Sequence, residues 1–125
     1  MKKLLLGLML IIYSANTVAK WTAMAQSYDY IQYVNLATIR KSGDIVSIWQ
    51  LLDFKTMQNL NGQYYLSIEL LQEVNCKARL TRSIRALLFY GQFAQGAMVK
   101  KLDMPNPWEE IQLESGGETL WKLAC

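Results

Sequence analysis

Apolar and polar positions alternate along residues 64–76, YYLSIELLQEVNC. One set of alternate positions is mostly apolar, and it consists of Tyr64, Leu66, Ile68, Leu70, Gln72, Val74 and Cys76. A period of two with one apolar face is typical of a half-buried β-strand. The pattern therefore predicts a strand that ends with Cys76 on the buried side.

The next stretch, residues 78–88, continues the alternation. Its apolar positions are Ala78, Leu80, Ile84, Ala86 and Leu88, and its polar ones are Lys77, Arg79, Thr81, Ser83 and Arg85. Arg82 interrupts the apolar set, so either it pairs with an internal carboxylate or the alternation breaks there. Two successive amphipathic strands favour an antiparallel sheet with one face toward water.

Three further segments predict strands from their β-branched and aromatic residues or their apolar content: 28–34, 44–55 and 97–102. Between the first two, NLATIR is irregular and residues 41–44 form a turn. Asn61–Gly62 indicates a loop or tight turn within MQNLNGQ. Both prolines lie in MPNPW, which ends the sheet.

The C-terminal segment favours a helix. Ser115 and Glu118 have the spacing of a capping box, which predicts a short helix from about Gly116. Its apolar side would carry Leu120, Trp121, Ala124 and Cys125 and would pack on the apolar face of the sheet. The fold class expected is therefore α+β.

Residues 1–19 have the three parts of a secretory signal: Lys2 and Lys3, an apolar run, and small residues before Ala19. The apolar run is too short to span a membrane. We expect cleavage before Lys20 and one mature domain, residues 20–125, with no transmembrane segment; a cut after Ala25 is the alternative. No cysteine lies near the cut, so the product is expected to be released without a lipid anchor.

The chain has two cysteines, Cys76 and Cys125. Because disulfides persist in exported proteins, we predict one intramolecular bridge between them. Two free thiols or a bridge between chains are the alternatives. The bridge would hold the terminal helix across the sheet.

Charge and composition exclude several functions. Loss of Lys2 and Lys3 leaves 11 basic against 10 acidic residues, so nucleic acid is not an expected partner. The chain has no histidine and no nucleotide-binding, nucleophile-elbow or metal-binding motif. The carboxylate pairs Glu69/Glu73 and Glu109/Glu110 are best explained as solvated surface. We expect no enzyme, no cofactor and no metal site.

Two features suggest a binding surface. Lys77, Arg79 and Arg85 are expected to share one strand face, which could bind an acidic segment of a partner or be an ordinary wet face. Tyr65 belongs to a group of tyrosines on or near strand ends, where core filling competes with a role at an interface. Open sheet edges also invite pairing with a second copy.

The ordered features of the whole mature chain resemble the surface-adhesin protein E family of Gram-negative bacteria. They are IRKSGDIVSIWQLLDF (39–54), GQFAQG, PNPWEEI, and the set Trp49, Ser67, Cys76, Gly96, Trp108 and Cys125. The resemblance implies about six antiparallel strands whose concave side is covered by a C-terminal helix, tied by a Cys76–Cys125 disulfide. The sequence departs from the founding type in lacking a lipidated cysteine after the signal and in having Asn75 before the first cysteine.

The resemblance also implies an envelope protein. The founding type is an adhesin that binds vitronectin, laminin and plasminogen and can dimerise. The first hypothesis is therefore a non-enzymatic, adhesin-like binding protein at the cell surface. The second is a soluble periplasmic accessory, structural or inhibitor protein that acts on another envelope protein, which the missing lipid site favours.

Overall fold

The computed structural model describes residues 20–125. The predicted signal peptide, residues 1–19, lies outside these described residues. They form one antiparallel sheet and one α-helix. The elements are β1 (Thr22–Gln26), β2 (Tyr30–Val34), β3 (Arg40–Ser42), β4 (Ile45–Leu60), β5 (Gln63–Asn75), β6 (Leu80–Phe89), β7 (Met98–Asp103), β8 (Glu109–Glu110) and α1 (Gly116–Ala124).

The sheet has the strand order β1-β2-β4-β5-β6-β7, with β3 paired to β4 and β8 paired to β6. The expectation of about six strands is wrong, because eight are present and the fold is mostly β. Strands β3 and β8 contain three and two residues, too few to show a period of two. Strand β1, TAMAQ, was also not predicted, because it offers one β-branched residue and no aromatic one.

The central hairpin of β4 and β5 is longer than the sequence pattern indicates. Residues 57–60 were expected in a loop, but β4 continues through them to Leu60. The turn itself is Asn61–Gly62, and both residues have positive φ, 50° and 87°. The register shifts between Asp53 and Gln58 of β4, so the inserted residues hide the alternation there.

The core lies between the sheet and α1. Val34, Ile48 and Val74 come from three neighbouring strands, and Leu120 of α1 packs on them. All four are almost fully buried, which makes Leu120 the anchor of the helix. We call this side of the sheet the helix face and the other side the outer face. Within residues 20–125, no helix has the length and apolar content needed to cross a membrane.

The predicted helix and disulfide are confirmed. Helix α1 begins at Gly116 after Ser115, whose side chain accepts a hydrogen bond from the backbone N–H of Glu118. Cys76 and Cys125 are joined, with their Cα atoms 5.6 Å apart. The bridge fixes the end of α1 to the turn between β5 and β6.

Strand β6 contains a bulge that the alternation did not reveal. Arg85 is opposite Leu71, but Ser83 is opposite Gln72, so Ile84 is the inserted residue. Paired residues share a face. As a result Ser83 lies on the helix face and Arg85 on the outer face.

Candidate protein-binding surface

Large apolar side chains are exposed mainly at one end of the sheet, which we call the aromatic end. Tyr30 of β2 is opposite Phe54 of β4. Ser67 of β5 is opposite both Asp53 of β4 and Phe89 of β6. These four strands therefore reach one common edge of the sheet. The exposed residues at or beyond this edge are Tyr28, Met57, Tyr64, Tyr90, Phe93 and Met98. Tyrosine, phenylalanine and methionine are enriched in protein interfaces. The aromatic end is therefore the candidate surface for a partner.

Three rings pack against one another at this end. Tyr30 and Phe54 meet edge to face with their centroids 5.5 Å apart, and Phe54 meets Tyr65 at 5.9 Å. Tyr65 was a candidate binding residue, and the structure places it half-buried at the aromatic end. Burial raises the pKa of Tyr65, so its phenol stays neutral at physiological pH.

A loop formed by residues 91–96 folds onto the outer face at the same end. The hydroxyl of Ser67 donates to the Gly91 carbonyl at 2.6 Å and accepts from the Ala94 N–H at 2.9 Å. The carboxylate of Asp53 accepts from the Phe93 N–H at 2.9 Å. Because Ser67 is fully buried and Asp53 nearly so, this clamp is shielded from water.

The clamped loop has an unusual backbone. Phe93 and Ala94 are consecutive non-glycine residues with φ near +56°, a left-handed conformation that most side chains disfavour. A Cβ at Gly91 would lie 2.7 Å from the Gln95 carbonyl oxygen, which makes glycine necessary there. Backbone strain of this kind persists only where the surroundings fix it, and it is concentrated at functional sites. The loop is therefore held in one shape before any partner arrives.

Phe93 links the loop to the sheet and to solvent. Its ring lies 4.9 Å from that of Tyr33, yet 42% of the residue remains exposed. Burial raises the pKa of Tyr33, and the nearby Asp53 charge raises it further. The Tyr33 phenol is therefore neutral at physiological pH. The exposed surface here consists of the Phe93 ring packed on the uncharged ring of Tyr33.

The basic residues that were expected to form one stripe are separated, so the expectation that they share a strand face is wrong. Lys77 and Arg79 lie in the turn before β6, at the end opposite the aromatic end. Arg79 pairs with Glu118 at 3.4 Å and lies over the Trp121 ring at 4.4 Å. The bulge at Ile84 places Arg85 on the outer face, where it pairs with Asp103 of β7 at 2.7 Å. A role for Lys77, Arg79 and Arg85 in binding stays a prediction.

Arg82 interrupted the apolar series for both of the reasons considered. The alternation breaks at the Ile84 bulge, so Arg82 lies on the outer face, and there it pairs with a carboxylate. Its guanidinium donates to Glu73 at 2.8 Å and lies 4.4 Å from the centre of the Trp108 ring. Glu73 is thus engaged in an ion pair, unlike a free catalytic carboxylate. Within residues 20–125, no group of three or more acidic or cysteine side chains is placed to hold a metal ion.

Sequence reasoning missed Asp53 and Ser67. Both belong to strands that were predicted, and Ser67 lies outside the apolar positions of its strand, on the side expected toward water. The available signal was GQFAQG, which had entered only as a feature of the family resemblance. A tight loop between two glycines needs partners for its backbone N–H groups, and polar side chains on the neighbouring strands supply them.

Comparison with known proteins agrees with this geometry. The family described as surface-adhesin protein E matches residues 21–125. Among solved structures, Haemophilus influenzae protein E is similar at a TM-score of 0.66 and 13% identity, covering 86% of each chain. Its crystal form II gives 0.68 at 12% identity, covering 86% of this chain and 87% of that one. A search among curated proteins found no similar sequence.

At 12–13% identity these structures establish a shared fold alone. The family match is broader evidence, because it extends over the sheet, the loop 91–96, both cysteines and α1. The chain belongs to the surface-adhesin protein E family.

Proposed function

We propose that the protein is an exported, non-enzymatic, adhesin-like protein that binds a protein partner through its aromatic end. The observation that carries the proposal is the set of six large apolar residues exposed at this one end, beside a loop that Asp53 and Ser67 hold in place. A rigid loop loses little conformational entropy on binding, which leaves more of the contact energy as affinity.

The class of partner follows from family membership. A family of surface adhesins supports an extracellular matrix or serum protein of a host as the ligand, and a cell-surface location after removal of residues 1–19. The chemistry of the aromatic end fits such a partner, since Tyr64, Tyr90 and Phe93 offer broad apolar contact and, in the tyrosines, a hydroxyl.

A periplasmic accessory protein is the second candidate. The Cys76–Cys125 disulfide is compatible with the oxidising periplasm, where the aromatic end would bind another envelope protein. Lys77, Arg79 and Arg85 would add a separate, charge-dependent contact at other positions on the sheet. We also propose that two copies pair edge to edge through β1 or β7, which are the outer strands of the main sheet order.

The test compares two triple variants, each of which replaces three exposed apolar residues by serine. The first replaces exposed residues of the aromatic end by serine: Tyr64→Ser, Tyr90→Ser and Met98→Ser. The control replaces exposed leucines elsewhere: Leu36→Ser, Leu113→Ser and Leu123→Ser. Binding to immobilised vitronectin, laminin and plasminogen is measured by biolayer interferometry.

We expect the first variant to lose affinity by at least about tenfold, while the control binds as the parent does. Equal loss in both variants would contradict a specific role of the aromatic end. If the parent binds none of the three proteins, the host-adhesin hypothesis fails. Crosslinking in cells, with the same two variants, then tests for an envelope partner.

Location is tested separately. Antibody labelling of unpermeabilised cells, with a periplasmic protein as control, detects the chain at the surface. Labelling supports the adhesin hypothesis. Absence of labelling together with release on osmotic shock supports the periplasmic one.

A further inference from the structure

The helix face carries a row of glutamines across three neighbouring strands. Gln32 of β2 donates to Gln50 of β4 at 2.6 Å, and Gln50 donates to Gln72 of β5 at 3.4 Å. Gln72 donates to the Thr81 hydroxyl at 2.8 Å and accepts from that of Ser83 at 2.9 Å. The row thus links four strands on the side of the sheet that forms the core.

Amides in this position are costly to the fold. Gln32 is 4% exposed and Gln50 is 7% exposed, and burial of an amide is unfavourable unless hydrogen bonds replace water. Among the described residues, every fully buried side-chain oxygen has a hydrogen-bond partner. The Oε1 atom of Gln32 accepts no hydrogen bond from these residues, so it is not fully buried. The Oε1 atom therefore opens to a space that solvent can enter.

Gln32 lines two such spaces, and the larger is an open cavity of about 270 Å³ beside the first turn of α1. The glutamine row forms its floor, and Glu109 and Gln112 border it. The Gln32 oxygen lies directly against the start of α1, since a Cβ atom at Gly116 would be only 2.8 Å from this oxygen. It therefore marks the boundary between the cavity and the helix. A space of this size has room for several water molecules.

We propose that this cavity binds one neutral sugar ring, a function beyond the proposed binding of a protein partner. Each sugar hydroxyl both donates and accepts a hydrogen bond, and each glutamine amide offers both a donor and an acceptor. Tyr30, Leu52 and Leu120 supply an apolar wall for the C–H groups of the ring. A few convergent polar groups on an apolar pocket are typical of small-molecule sites.

The electrostatics of the cavity favour a neutral ligand over an ion. The glutamine row has no net charge. The first turn of α1, the positive end of its dipole, lines the cavity together with Glu109, which pairs with Thr81 and so shares its helix face. An anion would meet the Glu109 carboxylate, and a cation would meet the helix N-terminus. Hydroxyl groups are stabilised by both.

The test observes the glutamine side chains directly. The ¹⁵N-labelled protein is titrated by NMR with the methyl glycosides of glucose, galactose and N-acetylglucosamine at millimolar concentrations, and separately with inorganic phosphate. We expect saturable shifts of the Gln32, Gln50 and Gln72 side-chain amides with at least one glycoside. The absence of saturable shifts with all three, or tighter binding of phosphate, would overturn the proposal.

Variants separate a role in binding from a role in folding. The double change Gln32→Met and Gln50→Met removes both amides of one hydrogen bond together, which limits the cost to stability. It should weaken glycoside binding by about tenfold or more. Glu109→Leu removes the hydrogen-bonding atoms of an exposed side chain at the border and should weaken binding without affecting the fold.

The control is Gln63→Met, an exposed glutamine at the start of β5, which should bind as the parent does. Unchanged affinity in both the double variant and Glu109→Leu would also overturn the proposal. A disaccharide distinguishes the source of the ligand. If it binds as tightly as the methyl glycoside, the cavity accepts the end of a glycan chain, and if it is excluded, the cavity accepts a free monosaccharide.

Discussion

Asp53 and Ser67 are direct register partners on β4 and β5, and their side chains bind consecutive backbone N–H groups of one loop. Asp53 accepts from Phe93, and Ser67 accepts from Ala94. The pair therefore holds two consecutive loop residues, Phe93 and Ala94, in a left-handed backbone conformation. The shape of the aromatic end therefore depends on two polar residues that never reach its surface.

Replacement of Ser67 by alanine should release the loop. The change removes one hydrogen bond to the Gly91 carbonyl and one from the Ala94 N–H, both in a site without water access. Leaving such groups unpaired costs about 1–3 kcal/mol of the free energy of unfolding. Urea unfolding measures that loss, and faster hydrogen exchange at Ala94 should accompany it.

Ser47→Ala is the matched control, because Ser47 is a half-buried serine on the outer face of β4. It should change both quantities little. An Ala94 amide that exchanges at the parental rate in Ser67→Ala would show that Asp53 and the glycines alone fix the loop.

The stability of the sheet should depend on Glu69. Burial raises the pKa of this carboxyl, and the charge of Lys20 opposes the shift only in part. A group with a raised pKa in the folded state binds protons more strongly there than in the unfolded chain. Its contribution to stability is complete below the ordinary pKa, near 4.5, and is lost as pH rises through the raised value.

Glu69→Gln should therefore have a higher urea midpoint than the parent at pH 7. The difference should shrink as pH falls and should vanish once Glu69 is protonated in both states. Unfolding curves between pH 4 and pH 8 measure it, with Glu110→Gln on the exposed strand β8 as the control. A parent that gains stability over the variant as pH rises would contradict the assigned direction.

The sequence was sufficient for features with a strong local signal. Strand β5 was predicted from its period of two, and α1 from the spacing of Ser115 and Glu118. Strands β3 and β8 were missed because they exist only through pairing with β4 and β6. A break in the alternation was considered at Arg82, but the position of the bulge at Ile84 was not predicted, because an inserted residue reverses the faces without changing the apolar content.

The candidate site was less predictable for the same reason. Arg79 and Arg85 fall on alternate positions in sequence, but a turn and a bulge separate them in space. The aromatic end is assembled from residues far apart in the chain, such as Tyr28 and Tyr90, which only the register brings to one edge. Tyr65 was proposed as a binding residue because it lies near a strand end, a local property, and that role stays a prediction.

The N-cap of α1 should contribute measurably to stability. The Ser115 hydroxyl accepts from the Glu118 N–H at 3.2 Å and donates to the Gln112 carbonyl at 2.6 Å. Ser115→Ala should lower the free energy of unfolding by about 1 kcal/mol, as loss of an N-cap does. Ser115→Asp should restore most of it, and Ser42→Ala on the exposed strand β3 should have little effect. Equal unfolding curves for the alanine variant and the parent would assign the helix start to packing alone.

The disulfide should be the largest single contribution to the attachment of α1. It closes a loop between residues 49 positions apart, for which chain entropy gives about 4 kcal/mol. Without it, α1 would be held chiefly by Leu120 and by the Trp121 indole, which donates to the Cys76 carbonyl at 3.1 Å. A helix of nine residues is marginal alone, so its end should detach first.

Cys125→Ser should therefore lower the free energy of unfolding by roughly 2–5 kcal/mol, measured in urea. The single change leaves a free thiol at Cys76, and the double variant Cys76→Ser and Cys125→Ser controls for it. The reduced parent should unfold at the same urea concentration as this double variant. Hydrogen exchange of the Trp121 indole N–H, followed by NMR, reports helix detachment, because the ring then leaves its contact with Arg79 and Cys76. If the oxidised parent and the double variant unfold together, the packing of Leu120 and Trp121 already fixes α1, and the bridge adds nothing to the folded state.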